Sequence, residues 1–266
     1  MTGTGAVEEG ALSMAFVTGI GHANESRITL RGADLTADLM GTATYTEVLL
    51  LAVTERRPTP HEVRVTDAVL VSLVDHGMQP SALASRITFS AAPDAVQGAI
   101  AAGLLGAGNS VLGSMDQAAR LLTRIDDAVQ GGRSELDAVS TAVDALLASG
   151  ERVPGVGHRL HKKEDPRATR LMAIAVEEGI AVAEIRRLRQ VAETVVSRTG
   201  KRLPINATGA AAAILLAVGI PWKLQRGVAI ISRAAGLLAH IGEEIEHPIT
   251  AEVRRALREA SWLEDS

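Results

Sequence analysis

From Asp34 towards the C-terminus, apolar residues recur at three- and four-residue spacing with hardly a pause. That periodicity confines the chain to helices packed on helices. The core they share must be aliphatic, because 47% of the 266 residues are hydrophobic but only two are Trp, one Tyr and two Phe. Ala and Leu are strong helix formers, and alanine-rich faces let helices approach closely. The expected fold class is all-α. The length allows one large core, or a main domain with a smaller lobe.

The spacing predicts helices over Thr44–Thr54, from Thr59 or Pro60 to His76 with a stop at Gly77, and over Ser81–Ser90, Asp94–Leu105, Ser114–Val129 and Ser134–Leu147. The last four open near Ser or Asp, whose side chains can cap free first-turn amides. Gly150–Gly157 reads as a long loop. Asp165-Pro166 then starts a helix, with proline where no amide hydrogen is needed. Helices continue to Ser197, break at Thr199–Asn206, and resume over Thr208–Val218 and Pro221–Ile245, followed by a short amphipathic tail. Residues 1–13 read as a flexible N-terminus, and a small hairpin is expected within 14–33 around the β-leaning run Arg27–Leu30. The two breaks suggest a small lobe, 154–200, inserted into a large helical domain of 14–153 and 201–266.

Several function classes are disfavoured. The formal net charge is −4 with no long basic tract, which argues against nucleic acid as a partner. The absence of cysteine removes disulfides, thiolate metal sites and cysteine nucleophiles, and no metal is expected. The N-terminus lacks a basic and apolar leader pattern. The apolar stretch Gly209–Ile220 is too short to span a bilayer, and Gly227–Ile241 carries Arg233 in its middle. No membrane association is expected, and a cytoplasmic location is.

Four features carry chemistry. The first is Pro154–Arg167, PGVGHRLHKKEDPR. Gly155 and Gly157 have no Cβ, so their backbone can approach a ligand. His158 follows, and Arg159, His161, Lys162, Lys163 and Arg167 supply cationic groups suited to phosphate or carboxylate. A solvated loop is the equally weighted alternative. The second is His76 at the end of a helix, where the dipole favours an imidazolium. The third is Asn206-Ala207-Thr208, a polar opening to an apolar helix, which an N-cap also explains. The fourth is Arg233 in an apolar helix, which needs an anionic partner from the protein or from a ligand. His240 lies two turns further on and reads as a core histidine. Histidines and arginines with few acids describe a site for a polyanion.

These segments, in this order, resemble the citrate synthase superfamily, and within it most closely the citryl-CoA lyase module of ATP-citrate lyase. The resemblance runs from about Ala15 to Ile249. It is carried by the opening LRGADLTADLM, the central VDHGMQPSALASRITFS, the signature PGVGHRLHKKEDPR, and SRAAGLLAHIGEE. It implies an all-α fold with a large and a small domain, a homodimer, and carbon–carbon bond chemistry beside a CoA thioester. Coenzyme A enters as part of the substrate. The other reactant is a small polycarboxylate or 2-oxo acid.

The resemblance also implies roles. His76 contacts the substrate's carboxylate or hydroxyl region. His158 handles the hydroxyl or carbonyl oxygen. Arg167 and Arg233 bind carboxylates, as does Arg86 by a looser match. Lys162, with Lys163 beside it, lies near the CoA phosphates, and Pro154, Gly155, Val156, Gly157 and His158 run along the adenine. Two positions depart from the family pattern. Val111 stands where synthases carry the histidine of a PLHGG-like segment, which favours the lyase branch. Thr208 stands where the family carries the catalytic aspartate of an NVD segment, and a threonine is not a carboxylate acid or base near neutral pH. The leading expectation is cleavage of citryl-CoA or a related 3-hydroxy-3-carboxyacyl-CoA. The rivals are a degenerate acyl-CoA/polycarboxylate-binding regulatory protein and a thioester hydrolase.

Overall fold

The computed structural model describes residues 17–108 and 113–260. Val111 lies outside them, as does the stretch 1–13. The described chain divides into two compact units, one ending at Arg57 and one beginning at Pro58.

The first unit holds the expected β-structure. Strands β1 (Gly21–Ala23), β2 (Ile28–Leu30) and β3 (Ala33–Asp34) pair antiparallel in that order, with Gly21 opposite Leu30 and Thr29 opposite Asp34. The hairpin is thus extended by a third short strand. The Asn24 side chain closes the first turn by accepting from the Ser26 and Arg27 amides. Asp34 then caps a π-helical turn, Leu35–Leu39, and amides of that turn, Ala37 foremost, hold its pKa down to about 2. Helix α1 (Tyr45–Thr54) starts in a reciprocal capping box between Thr44 and Glu47.

Among the described residues of the second unit, the regular structure is helical apart from one bridge between Val156 and Ile205. Its helices are α2 (Pro60–Leu73), α3 (Pro80–Ala91), α4 (Val96–Leu105), α5 (Gly113–Gln130), α6 (Glu135–Ala148), α7 (Pro166–Glu177), α8 (Val182–Thr199), α9 (Ala207–Val218), α10 (Trp222–Glu246) and α11 (Thr250–Glu259). Thr59, Ser134, Asp165 and Asn206 cap as their residue types predict. Helices α3 and α4 do not follow that expectation. They begin after Gln79 and Ala95 without a side-chain cap, and Ser81 is buried inside α3. Pro80, with its φ already helical, starts α3 instead.

Helix α9 is the hub. Ala210 to Leu215 are fully buried, and α2, α5, α7 and α8 pack around it. Four successive alanines leave no bulk at the axis, so neighbouring helices come close. Helix α10 forms a second spine against α2, α3, α4 and α5. The two spines differ at one feature each that matters for the site. Gly209 near the start of α9 passes so close to the loop that a Cβ would lie 2.4 Å from the Gly155 carbonyl oxygen. Gly236 in the middle of α10 does the same at the end of α2, 2.0 Å from the Val74 carbonyl oxygen. Only glycine fits at either crossing. Among the described residues, no single helix is long and apolar enough to cross a membrane.

Candidate active site

The loop 154–158 is tied to the chain entering α9. The Gly155 carbonyl accepts from the Asn206 amide at 3.1 Å, and the Gly157 amide donates to the Pro204 carbonyl at 2.7 Å. The Asn206 side-chain amide donates to the Gly157 carbonyl at 2.8 Å, while its oxygen caps α9 through Gly209. Gly155 and Gly157 have φ of +86° and +84°. The glycines therefore serve the fold: Gly155 presses against Gly209, and the Gly157 amide is already engaged. The Gly157 amide is taken by the fold and does not face a ligand. Val156 is buried, and Pro154 is half-buried.

His158 is held by its own backbone. Its Nδ1 accepts from the amides of Leu160 and His161, both at 3.1 Å. An imidazole nitrogen that accepts carries no proton, so the ring proton of neutral His158 sits on Nε2. That nitrogen lies 3.3 Å from the Arg167 guanidinium, placing a donor against a donor. An oxygen acceptor seated there satisfies both. Burial, with the Arg167 and His161 charges, lowers the His158 pKa against the pull of Asp165.

Asp165 positions Arg167. It is fully buried, caps α7, and binds Arg167 through Nε at 3.1 Å and a terminal nitrogen at 3.0 Å. It also accepts from the Ala207 amide at 3.0 Å, which ties α7 to the first turn of α9. Burial opposes its ionisation, but these bonds outweigh it and hold its pKa low.

Arg233 is the most telling group. It is 6% exposed, yet its Nε has no hydrogen-bond partner, and no ion pair engages it among the described residues. Desolvation lowers its pKa, with the nearby Arg167 adding to this and Asp75 opposing it. His76 belongs to the same neighbourhood. Desolvation first, then Arg167 and Arg233, push its pKa below 6.5. This reverses the dipole-based expectation of an imidazolium: α2 ends at Leu73, short of His76, and burial first, then two guanidinium charges, disfavour the charged ring. Next to it, Asp75 is fixed by the Gly77 amide at 2.7 Å and by His240 Nε2 at 2.9 Å. Two histidines with lowered pKa and two arginines thus converge, and among the described residues Asp75 acts on Arg233 only from beyond ion-pair distance.

Thr208 follows Ala207, whose amide binds Asp165. Its hydroxyl donates to Asn206 Oδ1 at 2.8 Å and accepts from the Ser114 hydroxyl at 3.1 Å. Lys162 is exposed, with its ammonium 3.3 Å from the His158 carbonyl. Lys163 lines a cleft of about 280 Å³ together with Arg189, Arg202 and Leu203. Arg86 is not brought into the cluster. It is 2% exposed and bound by Glu244 at 2.6 Å, Glu243 at 2.8 Å and the His247 carbonyl at 2.7 Å. Protein acceptors account for its burial, and it braces α3 against α10 rather than holding substrate. Among the described residues, no group of three or more His, Asp and Glu is arranged to hold a metal ion.

Sequence reasoning missed Asp165, Asp75, Ser114 and Arg202. Asp165 was visible only as a helix start, although an Asp two residues before a site arginine is a positioning signal. Ser114 had no signal, because its partner lies 94 residues away.

The model of the citrate synthase C-terminal domain matches residues 15–255. Putative citrate synthase 2 of Mycobacterium tuberculosis is 32% identical over 194 residues, 70% of this chain and 49% of that protein. Citrate synthase of Haloferax volcanii is 30% identical over 191 residues, 70% of this chain and 48% of its own length. The chain thus spans about half the length of these curated relatives. Among solved structures, citryl-CoA lyase from Hydrogenobacter thermophilus superposes with a TM-score of 0.83 at 32% identity, covering 94% of this chain and 95% of that one. The ATP citrate lyase of Methanosaeta concilii, in complex with (3S)-citryl-CoA, shares the fold with a TM-score of 0.73 at 20% identity, over 94% of this chain and 42% of that one. The chain belongs to the citrate synthase family.

Proposed function

We propose, from that membership, that the protein is a CoA-dependent carbon–carbon lyase. It cleaves citryl-CoA, or a related 3-hydroxy-3-carboxyacyl-CoA, to an acyl-CoA and a 2-oxo acid. The observation that carries this reading is the buried, unpartnered Arg233 beside Arg167 and two histidines with lowered pKa. A buried cation without a counter-ion is costly, and a carboxylate of the substrate supplies one. The likeness to the Hydrogenobacter lyase over nearly the whole of both chains supports cleavage over synthesis.

In the proposed site, Arg167 and Arg233 hold carboxylates. With its proton on Nε2, His158 meets the oxygen of the breaking centre as a donor. The hydroxyl proton goes to His76, whose ring makes no hydrogen bond among the described residues and whose pKa is lowered by burial and by the neighbouring arginines. As the carbon–carbon bond breaks, the hydroxyl carbon becomes the carbonyl of the oxo acid, and the thioester fragment leaves as an enolate. The enolate carbon then needs a proton. Thr208 replaces the carboxylate acid of the family, and its hydroxyl proton points to Asn206. Water supplies the proton, so turnover is slow: a missing positioned acid costs on the order of 10²–10⁴ in rate. Lys162, Lys163 and Arg202 are proposed to meet the CoA phosphates.

Thr208 also favours a second reading, a regulatory protein that binds acyl-CoA or polycarboxylate without turnover. Incubation with citryl-CoA separates the two. Oxaloacetate and acetyl-CoA as products support the lyase. CoA binding without products supports the binder. Free citrate and CoA mark a thioester hydrolase and defeat both. The variant Thr208→Asp restores the missing acid and is expected to accelerate cleavage.

A further inference from the structure

Helix α10 turns three residues towards the chain that follows α2. Arg233, Gly236 and His240 recur at three- and four-residue spacing and so share one face of the helix. Gly236 sets the contact, since a Cβ there would strike the Val74 carbonyl and lie 3.6 Å from the Asp75 Cα. Arg233 and His240 stand on either side of that crossing, and Asp75 is the residue they have in common. Its Oδ1 accepts from His240 Nε2 at 2.9 Å, and its Oδ2 accepts from the Gly77 amide at 2.7 Å. Its charge also acts on Arg233, but from beyond ion-pair distance.

A cation and an anion of the same protein thus stay apart although attraction favours a pair. Arg233 has a buried Nε without a partner. The Asp75 side chain is 48% exposed, so it has room to change rotamer, and a desolvated guanidinium draws a carboxylate strongly. The bonds on Asp75 are what oppose the move. The Gly77 and His76 amides belong to its own turn. Among the described residues, His240 is the only side chain bonded to it. The imidazole is itself held in place. It is 12% exposed, and its Nδ1 is buried 3.7 Å from Glu243, which Arg86 binds at 2.8 Å. A ring packed in this way does not follow Asp75 when the carboxylate turns.

We propose that His240 is a positioning residue that withholds Asp75 from Arg233. With Asp75 tied to His240, the protein's own carboxylate stays off the guanidinium, which is left open for a carboxylate of the substrate. The cation and the group that guards it sit two turns apart on one helix, so their spacing is fixed by that helix. Without His240, Asp75 becomes an internal competitor for the substrate's carboxylate. The inference rests on the reading of Arg233 as a substrate-carboxylate site given above.

Calorimetric titration of the full chain with citrate tests it. His240→Leu removes the donor and keeps a side chain of comparable bulk. It is expected to weaken citrate binding at least about 10-fold, as Asp75 pairs with Arg233. Adding Asp75→Asn to that variant removes the competing charge and is expected to return the affinity to within about threefold of the wild type. A histidine that only packs the helix would not be rescued by neutralising Asp75. Circular dichroism checks the fold of each variant. Should His240→Leu not fold, His240→Ala with and without Asp75→Asn makes the same comparison, and failure of both to fold makes His240 a structural residue and overturns the inference. Unchanged citrate affinity in a folded His240 variant overturns it, and so does a loss that Asp75→Asn does not restore. A wild type that binds no citrate, or a citrate affinity that Arg233→Met leaves unchanged, overturns instead the reading of Arg233, and this inference falls with it.

Discussion

At the scale of single residues, Arg233 bears a burial cost that the proposed carboxylate would offset. Replacing it with an apolar residue of similar length relieves the unpaired buried charge. Arg233→Met is therefore expected to leave thermal stability unchanged or raised while weakening citrate binding about 100-fold, as calorimetry would read it. Loss of stability with binding retained would refute the assignment. The two histidines give a pH signature. Both have pKa values below 6.5 in the folded protein, so the unfolded chain takes up their protons first. Their contribution to stability is complete above that value and is lost as pH falls through the lower folded values. A bound polycarboxylate favours the imidazolium forms, so binding takes up protons and citrate affinity rises between about pH 7.5 and 6. Titrations in two buffers of different ionisation heat measure that uptake, and a pH-independent affinity would count against the site. His76, His158, Arg167 and Arg233 were legible as a set because each sits in a short segment with its own local signal. Arg86 was not legible, because its partner Glu244 is 158 residues away and charge alone does not say which acid will meet it.

At the scale of elements, close crossings place these side chains. Gly236 lets α10 touch the end of α2, which brings Arg233 towards His76. Gly236→Ala forces the two apart, with an expected loss of about 1–3 kcal/mol in denaturant unfolding and weaker citrate binding. An unchanged stability would mean the crossing relaxes freely. A second joint lies where α3, α10 and α11 meet. Burial works against Glu244, but Arg86, the Ile249 amide, Ser90 and Thr250 hold its pKa to about 2. Glu244→Gln removes the buried one of the two carboxylates on Arg86, leaves Glu243 in place, and is expected to cost about 1–3 kcal/mol. The contribution of Glu244 is present above the ordinary carboxylate pKa and fades as pH falls towards about 2. The helices themselves were readable because their apolar spacing is regular. The starts of α3 and α4 were not, since proline and packing replaced the capping side chains expected there.

At the scale of the whole molecule, the site belongs to the unit beginning at Pro58, and residues 154–200 are proposed to move within it as a lobe. Hydrogen exchange in α7 and α8 is expected to slow when citrate and CoA are added together, and uniform slowing across the unit would argue against a separate lobe. Helix α9 has a consequence for how the chain is made. It is the most apolar segment and would invite aggregation if left uncovered. Yet α2, α5, α7 and α8, which cover most of it, precede it in the sequence, and α10, which also packs on it, follows directly. As the polypeptide leaves the ribosome, most of the receptacle is already outside when its occupant emerges. Vectorial synthesis thus shortens the time that this helix spends in water, which an unfolded full-length chain diluted from denaturant cannot do.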